Sequence, residues 1–279
     1  MLNVVAPGYF STIQDIGRFN YRNKGVPVSG VMDRYSASMA NTLLENDVTD
    51  AVMEITMTGP VLKFHAPTFI AIAGAEMSAR LNDTPVSGYQ VHKIREGDTL
   101  SFGKLINGFR AYLAIKNGFQ TKTVLGSRSF YKPITPINRI RESMGLDYEP
   151  VSKFDPKITS VKPEPFHKEN ELQVYHGPEF NLLNDRQLEK LFSMDFMIAK
   201  ENNRMAYQLE QKIAGHSTTM LTSATLPGTI QLTAAGKLII LMRDGQTTGG
   251  YPRILQLSQK AISILSQKKY GDPVSFRLH

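Results

Sequence analysis

The stretch that decides the fold lies at residues 59–73, which read GPVLKFHAPTFIAIA. Its Gly-Pro and Ala-Pro pairs are turn signals, and each is followed by a short segment typical of a β-strand, Val61–Phe64 and Thr68–Ala73. Further segments of this kind follow about every ten residues as far as Ile115. Short strands between regular turns, without alternating helices, indicate an antiparallel barrel or sandwich rather than a parallel α/β fold.

The second half of the chain repeats this pattern. Between the halves, Lys132–Glu171 is rich in proline and charge, which is typical of an irregular connection. We therefore predict two domains, at residues 1–150 and 151–279, in an all-β fold with a few helices. Apolar periodicity and capping residues predict helices near Gly30–Asn46, Asn138–Met144, Asp185–Phe192 and Ser258–Gln267.

Composition excludes several classes of function. The 279 residues carry a formal net charge of +7, but lysine and arginine are scattered, so no nucleic-acid surface is predicted. The absence of cysteine excludes disulfides, thiolate zinc sites and cysteine nucleophiles. The six histidines show no metal-ligand spacing, so we expect no metal site. The start does not resemble a signal peptide and no apolar run is long enough to span a membrane, so we expect a cytoplasmic protein.

Polar side chains and glycines are concentrated in residues 11–41. The candidate substrate-binding residues here are Gln14, Arg18 and Ser29, and the candidate acid/base residues are Asp15 and Asp33. Nearby glycines permit left-handed backbone or a close backbone approach. The structural alternative is a turn followed by a capped helix, because Asp33 also suits a helix start.

A second polar stretch, Asp244–Pro252, follows a predicted strand. Asp244 is a candidate base and Gln246 a candidate to orient an amide. The substrate-binding candidates in this stretch are Thr247, Thr248, Gly249, Gly250 and Tyr251. Arg204, in a third stretch, is suited to holding a carboxylate in a bidentate manner. The alternatives are a tight turn for the second stretch and a surface arginine for the third.

No nucleotide-binding fingerprint occurs in the chain: Gly25–Gly30 lacks the Lys-Ser/Thr of a phosphate loop. If the protein uses ATP, the nucleotide site is unconventional or lies on another chain.

Together, these stretches resemble the subunit 2 family of allophanate hydrolase, also called the biotin-dependent carboxyltransferase-like family. The motifs that carry the resemblance are residues 11–18 (STIQDIGR), 25–33 (GVPVSGVMD), 126–129 (GSRS), 203–207 and 246–252. The chain departs from the family, which usually has glycine where it has Asn20, Glu45, Ala206 and Asn117, and a glycine-rich segment where it has Phe130–Pro136.

The resemblance implies two cyclophilin-like β-barrel domains. It also implies two partners, a subunit 1 (B-type) protein and a lactam-utilisation-type A subunit, and a small-molecule substrate. The function we expect is that of the C subunit of an ATP-dependent complex that opens 5-oxo-L-proline to L-glutamate, with ATP bound with or by the partners. The open alternatives are a non-catalytic regulator that binds a kinase-inhibitor-type partner, and a carboxyltransferase-like component of a urea carboxylase system.

Overall fold

Two compact units make up the structure, a computed structural model that describes residues 1–279. The first unit comprises Met1–Arg18 and Ser29–Pro165, and the second comprises Phe19–Val28 and Phe166–His279. The boundary between the units lies after Pro165, whereas the sequence suggested residue 150. Residues 19–28 lie between the two segments of the first unit in sequence but belong to the second unit.

The first unit contains eleven strands and one helix. They are β1 (Leu2–Ala6), β2 (Phe10–Gln14), α1 (Arg34–Leu43), β3 (Val52–Thr56), β4 (Val61–Phe64), β5 (Thr68–Glu76), β6 (Arg80–Leu81), β7 (Thr84–Pro85), β8 (Val91–Ile94), β9 (Thr99–Ser101), β10 (Asn107–Ile115) and β11 (Gly145–Leu146). They form a six-stranded sheet in the order β11-β1-β4-β9-β6-β7 and a five-stranded sheet in the order β2-β3-β10-β5-β8.

One hydrophobic core joins these two sheets. It includes Leu2 and Phe64 from the six-stranded sheet and Ile55 and Leu113 from the five-stranded sheet, all fully buried. Side chains alternate between the two faces of a strand, so every second residue of the five-stranded sheet points away from this core. That other face is covered by α1, which packs Ala37, Ala40 and Leu43 in a second hydrophobic cluster.

The second unit contains nine strands and two helices. They are β12 (Glu171–His176), α2 (Asp185–Ser193), β13 (Phe196–Asn202), β14 (Ala206–Lys212), β15 (Ser223–Ala224), β16 (Thr229–Leu232), β17 (Lys237–Leu241), β18 (Thr248–Gly249), β19 (Arg253–Leu257), α3 (Gln259–Ser266) and β20 (Pro273–Leu278). Seven strands form a closed barrel in the order β12-β19-β16-β17-β14-β13-β20, and β15 pairs separately with β18. The barrel closes through a parallel pair, β12 with β20, whereas its other pairs are antiparallel.

The prediction of an all-β fold with a few helices is confirmed. The helix expected near Asn138–Met144 is wrong, because the backbone there bonds mainly to strands and does not form a run of helical hydrogen bonds. Ile140 N donates to Ser11 O at 2.8 Å and Ser143 N donates to Val4 O at 2.8 Å. The first helix is shorter than the expected Gly30–Asn46, since Gly30 is left-handed and Asp33, which caps the helix, is extended.

Candidate functional site

Asp15 anchors a distant loop of the first unit. It follows β2 and is almost fully buried, with 8% of its surface exposed. Its carboxylate accepts hydrogen bonds from Ser127 Oγ at 2.6 Å, Ser129 Oγ at 2.7 Å, Arg128 N at 2.6 Å and Gly17 N at 2.8 Å. Four donors hold the carboxylate in one orientation and order the Gly-Ser-Arg-Ser turn at residues 126–129. Its predicted acid/base role stays a prediction, while its contacts are those of an organising group.

Gln14 and Arg18 bind the same loop. Gln14 Nε2 donates to Phe130 O at 3.1 Å, and its Oε1 accepts from Gly30 N at 3.0 Å. Arg18 donates through Nε to Val124 O at 3.2 Å and through Nη2 to Ser129 O. The structure therefore brings Gln14, Asp15 and Arg18 together around one turn.

Ser29 has two costly features at one position. Its backbone is left-handed, with φ of 56°, and its buried Oγ has no hydrogen-bond partner. Each feature costs about 1–3 kcal/mol, and such costs are concentrated where a protein binds or reacts. Next to it, Gly30 approaches the backbone closely, since a Cβ there would lie 2.7 Å from the carbonyl carbon of Ile16. This serine is the substrate-binding candidate of the first unit whose hydroxyl is uncommitted.

Asp33 begins α1 and is fully buried. It accepts hydrogen bonds from Ser36 N at 3.1 Å and Ser36 Oγ at 2.6 Å, so it caps the helix as the structural alternative proposed. Its own N–H donates to Tyr112 Oη at 2.8 Å. These bonds describe a cap, and the acid/base role of Asp33 stays a prediction.

Sequence reasoning missed a buried network beneath α1. Glu54 in β3 accepts from Tyr112 Oη at 2.9 Å and from Met32 N at 2.7 Å, and Arg110 Nε lies 3.8 Å from its other oxygen. Burial and the nearby charges of Glu54 and Asp33 raise the pKa of Tyr112 well above its ordinary value, so its hydroxyl stays a donor. The signal was present: Glu54 and Arg110 are charged residues inside otherwise apolar strand segments, a pattern that calls for a buried partner.

Arg204 and Asp244 lie in the second unit and bind each other. Arg204 Nε is 2.8 Å from Asp244 Oδ2 and Nη2 is 3.1 Å from Oδ1, with the two side chains 7% and 10% exposed. The fork expected to hold a substrate carboxylate thus holds a carboxylate of the protein itself. The predicted roles of both residues in substrate chemistry stay predictions.

Thr225 stabilises the turn after Asp244 through two hydrogen bonds. Thr225 Oγ1 donates to Gln246 O at 2.5 Å and Thr225 N donates to Thr247 O at 3.0 Å. Thr248 and Gly249 then form β18 against β15. The side chains of Gln246, Thr248 and Tyr251 are exposed, as is Gly250. The candidates from Gln246 to Tyr251 therefore lie in or beside β18 and its pairing with β15.

Arg22 contacts Thr225 as well, which the sequence did not predict. It lies in a 3-10 turn at Arg22–Lys24 and donates through Nη2 to Thr225 O. Burial lowers its pKa. Arg22, from the polar residues 11–41, and Gln246 and Thr247, from the second polar stretch, thus contact the same threonine within one unit.

No three histidine, aspartate or glutamate side chains are grouped so that they could hold a metal ion. None of the helices is both long and apolar enough to cross a membrane.

The fold and these motifs place the chain in a known family. The family described as "Carboxyltransferase domain, subdomain A and B" matches residues 24–278, and the protein belongs to it. The family resemblance inferred from the sequence motifs is thereby confirmed.

Within that family, the chain is 29% identical to the C subunit of 5-oxoprolinase from Escherichia coli, over 99% of this chain and 90% of the relative. Among solved structures it is similar to TTHA0988, with a TM-score of 0.90 and 27% identity over 99% of this chain. It is also similar to the urea carboxylase of Kluyveromyces lactis, with a TM-score of 0.86 and 28% identity over 99% of this chain. The chain spans 55% of the first of these structures and 27% of the second.

Proposed function

We propose that this protein is the C subunit of an ATP-dependent 5-oxoprolinase, which converts 5-oxo-L-proline to L-glutamate only when its partner subunits are present. The observation that supports this most strongly is the similarity to the corresponding E. coli protein along 99% of this chain and 90% of that relative. Because the similarity extends along nearly the whole of both chains, we infer the same division of labour between subunits.

The chemistry requires groups that the chain offers. Opening the lactam breaks the bond between the ring nitrogen and C5 and adds water to that carbonyl, while the ring carboxylate must be held. Guanidinium groups hold carboxylates, and amide or hydroxyl groups orient a lactam. Each unit offers its own candidate for the second task. In the first unit it is the Ser29 hydroxyl, which has no partner, and in the second it is the exposed Gln246 side chain.

We assign ATP to the partner subunits, a subunit 1 (B-type) protein and a lactam-utilisation-type A subunit, because this chain has no nucleotide fingerprint. The test is reconstitution in the test tube. Glutamate formation from 5-oxo-L-proline and ATP is measured with this chain alone, with the two partners alone and with all three together. We expect activity only in the complete mixture. Full activity without this chain, or full activity of this chain alone, would refute the proposal.

A second candidate is a carboxyltransferase component of a urea carboxylase, supported by the similarity to the K. lactis enzyme. It predicts that the chain accelerates carboxyl transfer from carboxybiotin to urea. Running that assay beside the reconstitution separates the two. Activity in neither assay, combined with tight binding of a subunit 1 protein, would instead support the non-catalytic regulator.

A further inference from the structure

Gln231 is a buried amide in a place where the strand pattern predicts an exposed one. In β16 it alternates with Ile230 and Leu232, and these two pair with Ile240 and Leu238 of β17. Its side chain therefore points to the opposite face of the strand. It is nevertheless only 1% exposed, and its Nε2 has no hydrogen-bond partner. A buried amide donor without a partner destabilises the fold by about 1–3 kcal/mol, which suggests that a ligand satisfies it.

The neighbour of this amide is the glycine of the second polar stretch. A Cβ on Gly249 would lie 2.6 Å from Gln231 Nε2 and 2.6 Å from Gln246 Nε2. Gly249 does not have a left-handed backbone, and a Cβ there would collide only with the ends of these two side chains. The two amide groups thus converge above one glycine, with Thr225 Cγ2 3.5 Å from the same point.

A positive charge lies beside the two amides. Arg22 donates to Thr225 O, and Thr225 donates through its hydroxyl to Gln246 O. Arg22 is half-buried and forms no ion pair, and one bond uses only one of its N–H groups. Arg253, at the start of β19, donates to Ala224 O of β15 and is in contrast paired with Glu179 at 2.6 Å.

We propose that Arg22, Gln231 and Gln246 bind a small molecule that carries a carboxylate next to an amide. The guanidinium holds the carboxylate, and the two Nε2 groups that converge above Gly249 donate to the carbonyl oxygen of the ligand amide. The site lies wholly within the second unit. Using a lactam carboxylate as the probe rests on the proposed function, whereas the recognition of a carboxylate beside an amide does not.

Isothermal titration of the full chain tests the site with three probes of similar size. 5-Oxo-L-proline has both groups, 2-pyrrolidone lacks the carboxylate, and cyclopentanecarboxylate lacks the amide. We expect 5-oxo-L-proline to bind with a Kd of about 1 mM or below and the other two at least about tenfold more weakly. Equal binding of all three probes, or no binding of 5-oxo-L-proline at about 10 mM, would overturn the proposal.

Three variants separate the parts of the site. Gly249→Ala should weaken 5-oxo-L-proline binding about tenfold, because its methyl group displaces both flexible amides without meeting backbone. Gln231→Leu should weaken it about fivefold. Arg22→Gln should weaken it about 10- to 100-fold yet leave 2-pyrrolidone unchanged. Wild-type affinity in all three variants would refute the site.

Two matched variants serve as controls. Lys24→Gln removes a charge from the same 3-10 turn, and Gln208→Leu removes an amide from the outer face of β14, where buried residues flank it. Neither should change binding, and melting curves of every variant show that the fold persists. The outcomes also separate the two proposals. Binding without turnover in the complete mixture refutes the proposed function alone, and wild-type turnover in all three site variants refutes this site alone.

Discussion

Replacing Asp244 by asparagine should destabilise the second unit, because the buried Arg204 guanidinium loses its counter-charge. The pair is joined at 2.8 and 3.1 Å and both side chains are about nine-tenths buried. Asparagine keeps one oxygen acceptor, but its NH2 group faces an N–H donor of Arg204. One charge-assisted hydrogen bond, worth about 1.5–3 kcal/mol, is therefore lost. Breaking a buried pair from one side typically costs about 3–5 kcal/mol, and we expect about 3 kcal/mol.

Urea unfolding followed by far-ultraviolet circular dichroism measures this loss, since the chain has no tryptophan to report it. The matched control is Glu171→Gln, which breaks an exposed pair with Arg277 at 3.2 Å and should cost less than about 1 kcal/mol. The double variant Arg204→Met with Asp244→Leu should be more stable than the sum of its single changes predicts, by about 1–3 kcal/mol.

An Asp244→Asn variant as stable as the wild type would refute this reasoning. If that variant also lost the activity of the complete complex, Asp244 would have a chemical role and not a structural one. Loss of stability and activity in proportion would show that the ion pair is structural.

Three further predictions follow from individual residues. Asp15→Asn should lower the free energy of unfolding by about 2–3 kcal/mol in urea, since one of four donors then faces an amide N–H; an unchanged midpoint would contradict it. Glu45→Gly should raise the free energy of unfolding by about 0.5–1 kcal/mol in the same assay, because Glu45 has a left-handed φ of 49°. Asn117→Gly, at a φ of 65°, should raise it less, since asparagine tolerates this conformation better. Destabilisation by Glu45→Gly would contradict the prediction. Glu179→Gln should lower the free energy of unfolding at neutral pH, and this difference from the wild type should vanish in acid, because Arg253 lowers the pKa of Glu179 in the folded state. A difference independent of pH would contradict this prediction.

The pH prediction has a definite sign. A carboxylate whose pKa is lower in the folded than in the unfolded chain stabilises the fold fully above its unfolded pKa. That contribution disappears as the pH falls through the folded pKa. The wild type and Glu179→Gln should therefore approach each other in stability between these two values.

Much of the fold was predictable because turn residues separate the strands in the sequence. Val61–Phe64 occurs with its predicted bounds, and the strand predicted at Thr68–Ala73 begins at Thr68 and extends to Glu76. Val52–Thr56 was missed because all five residues are buried, so polar and apolar residues do not alternate as they do in a strand with one exposed face. The glycine departures were informative too: Asn20, Glu45 and Asn117 all have positive φ.

The candidate sites were predictable as residue types, and their pairing was not. Glycines and polar groups marked Asp15 and Asp244, but no local pattern says that Asp15 meets Ser127, 112 residues away, or that Asp244 meets Arg204, 40 residues away. Gln231 was missed because an amide in a strand is ordinarily exposed, and only the tertiary structure buries it. Long-range pairing is decided by the packing of strands that are distant in sequence.

The excursion of residues 19–28 determines how this protein can be cut or fused. Because these residues belong with Phe166–His279, neither unit is encoded by one continuous stretch of the gene. A chain truncated after Pro165 would carry ten residues without their surroundings, and a chain beginning at Phe166 would lack Arg22 and its bond to Thr225. Dissection experiments should therefore supply residues 19–28 to the second unit as a separate peptide or by circular permutation.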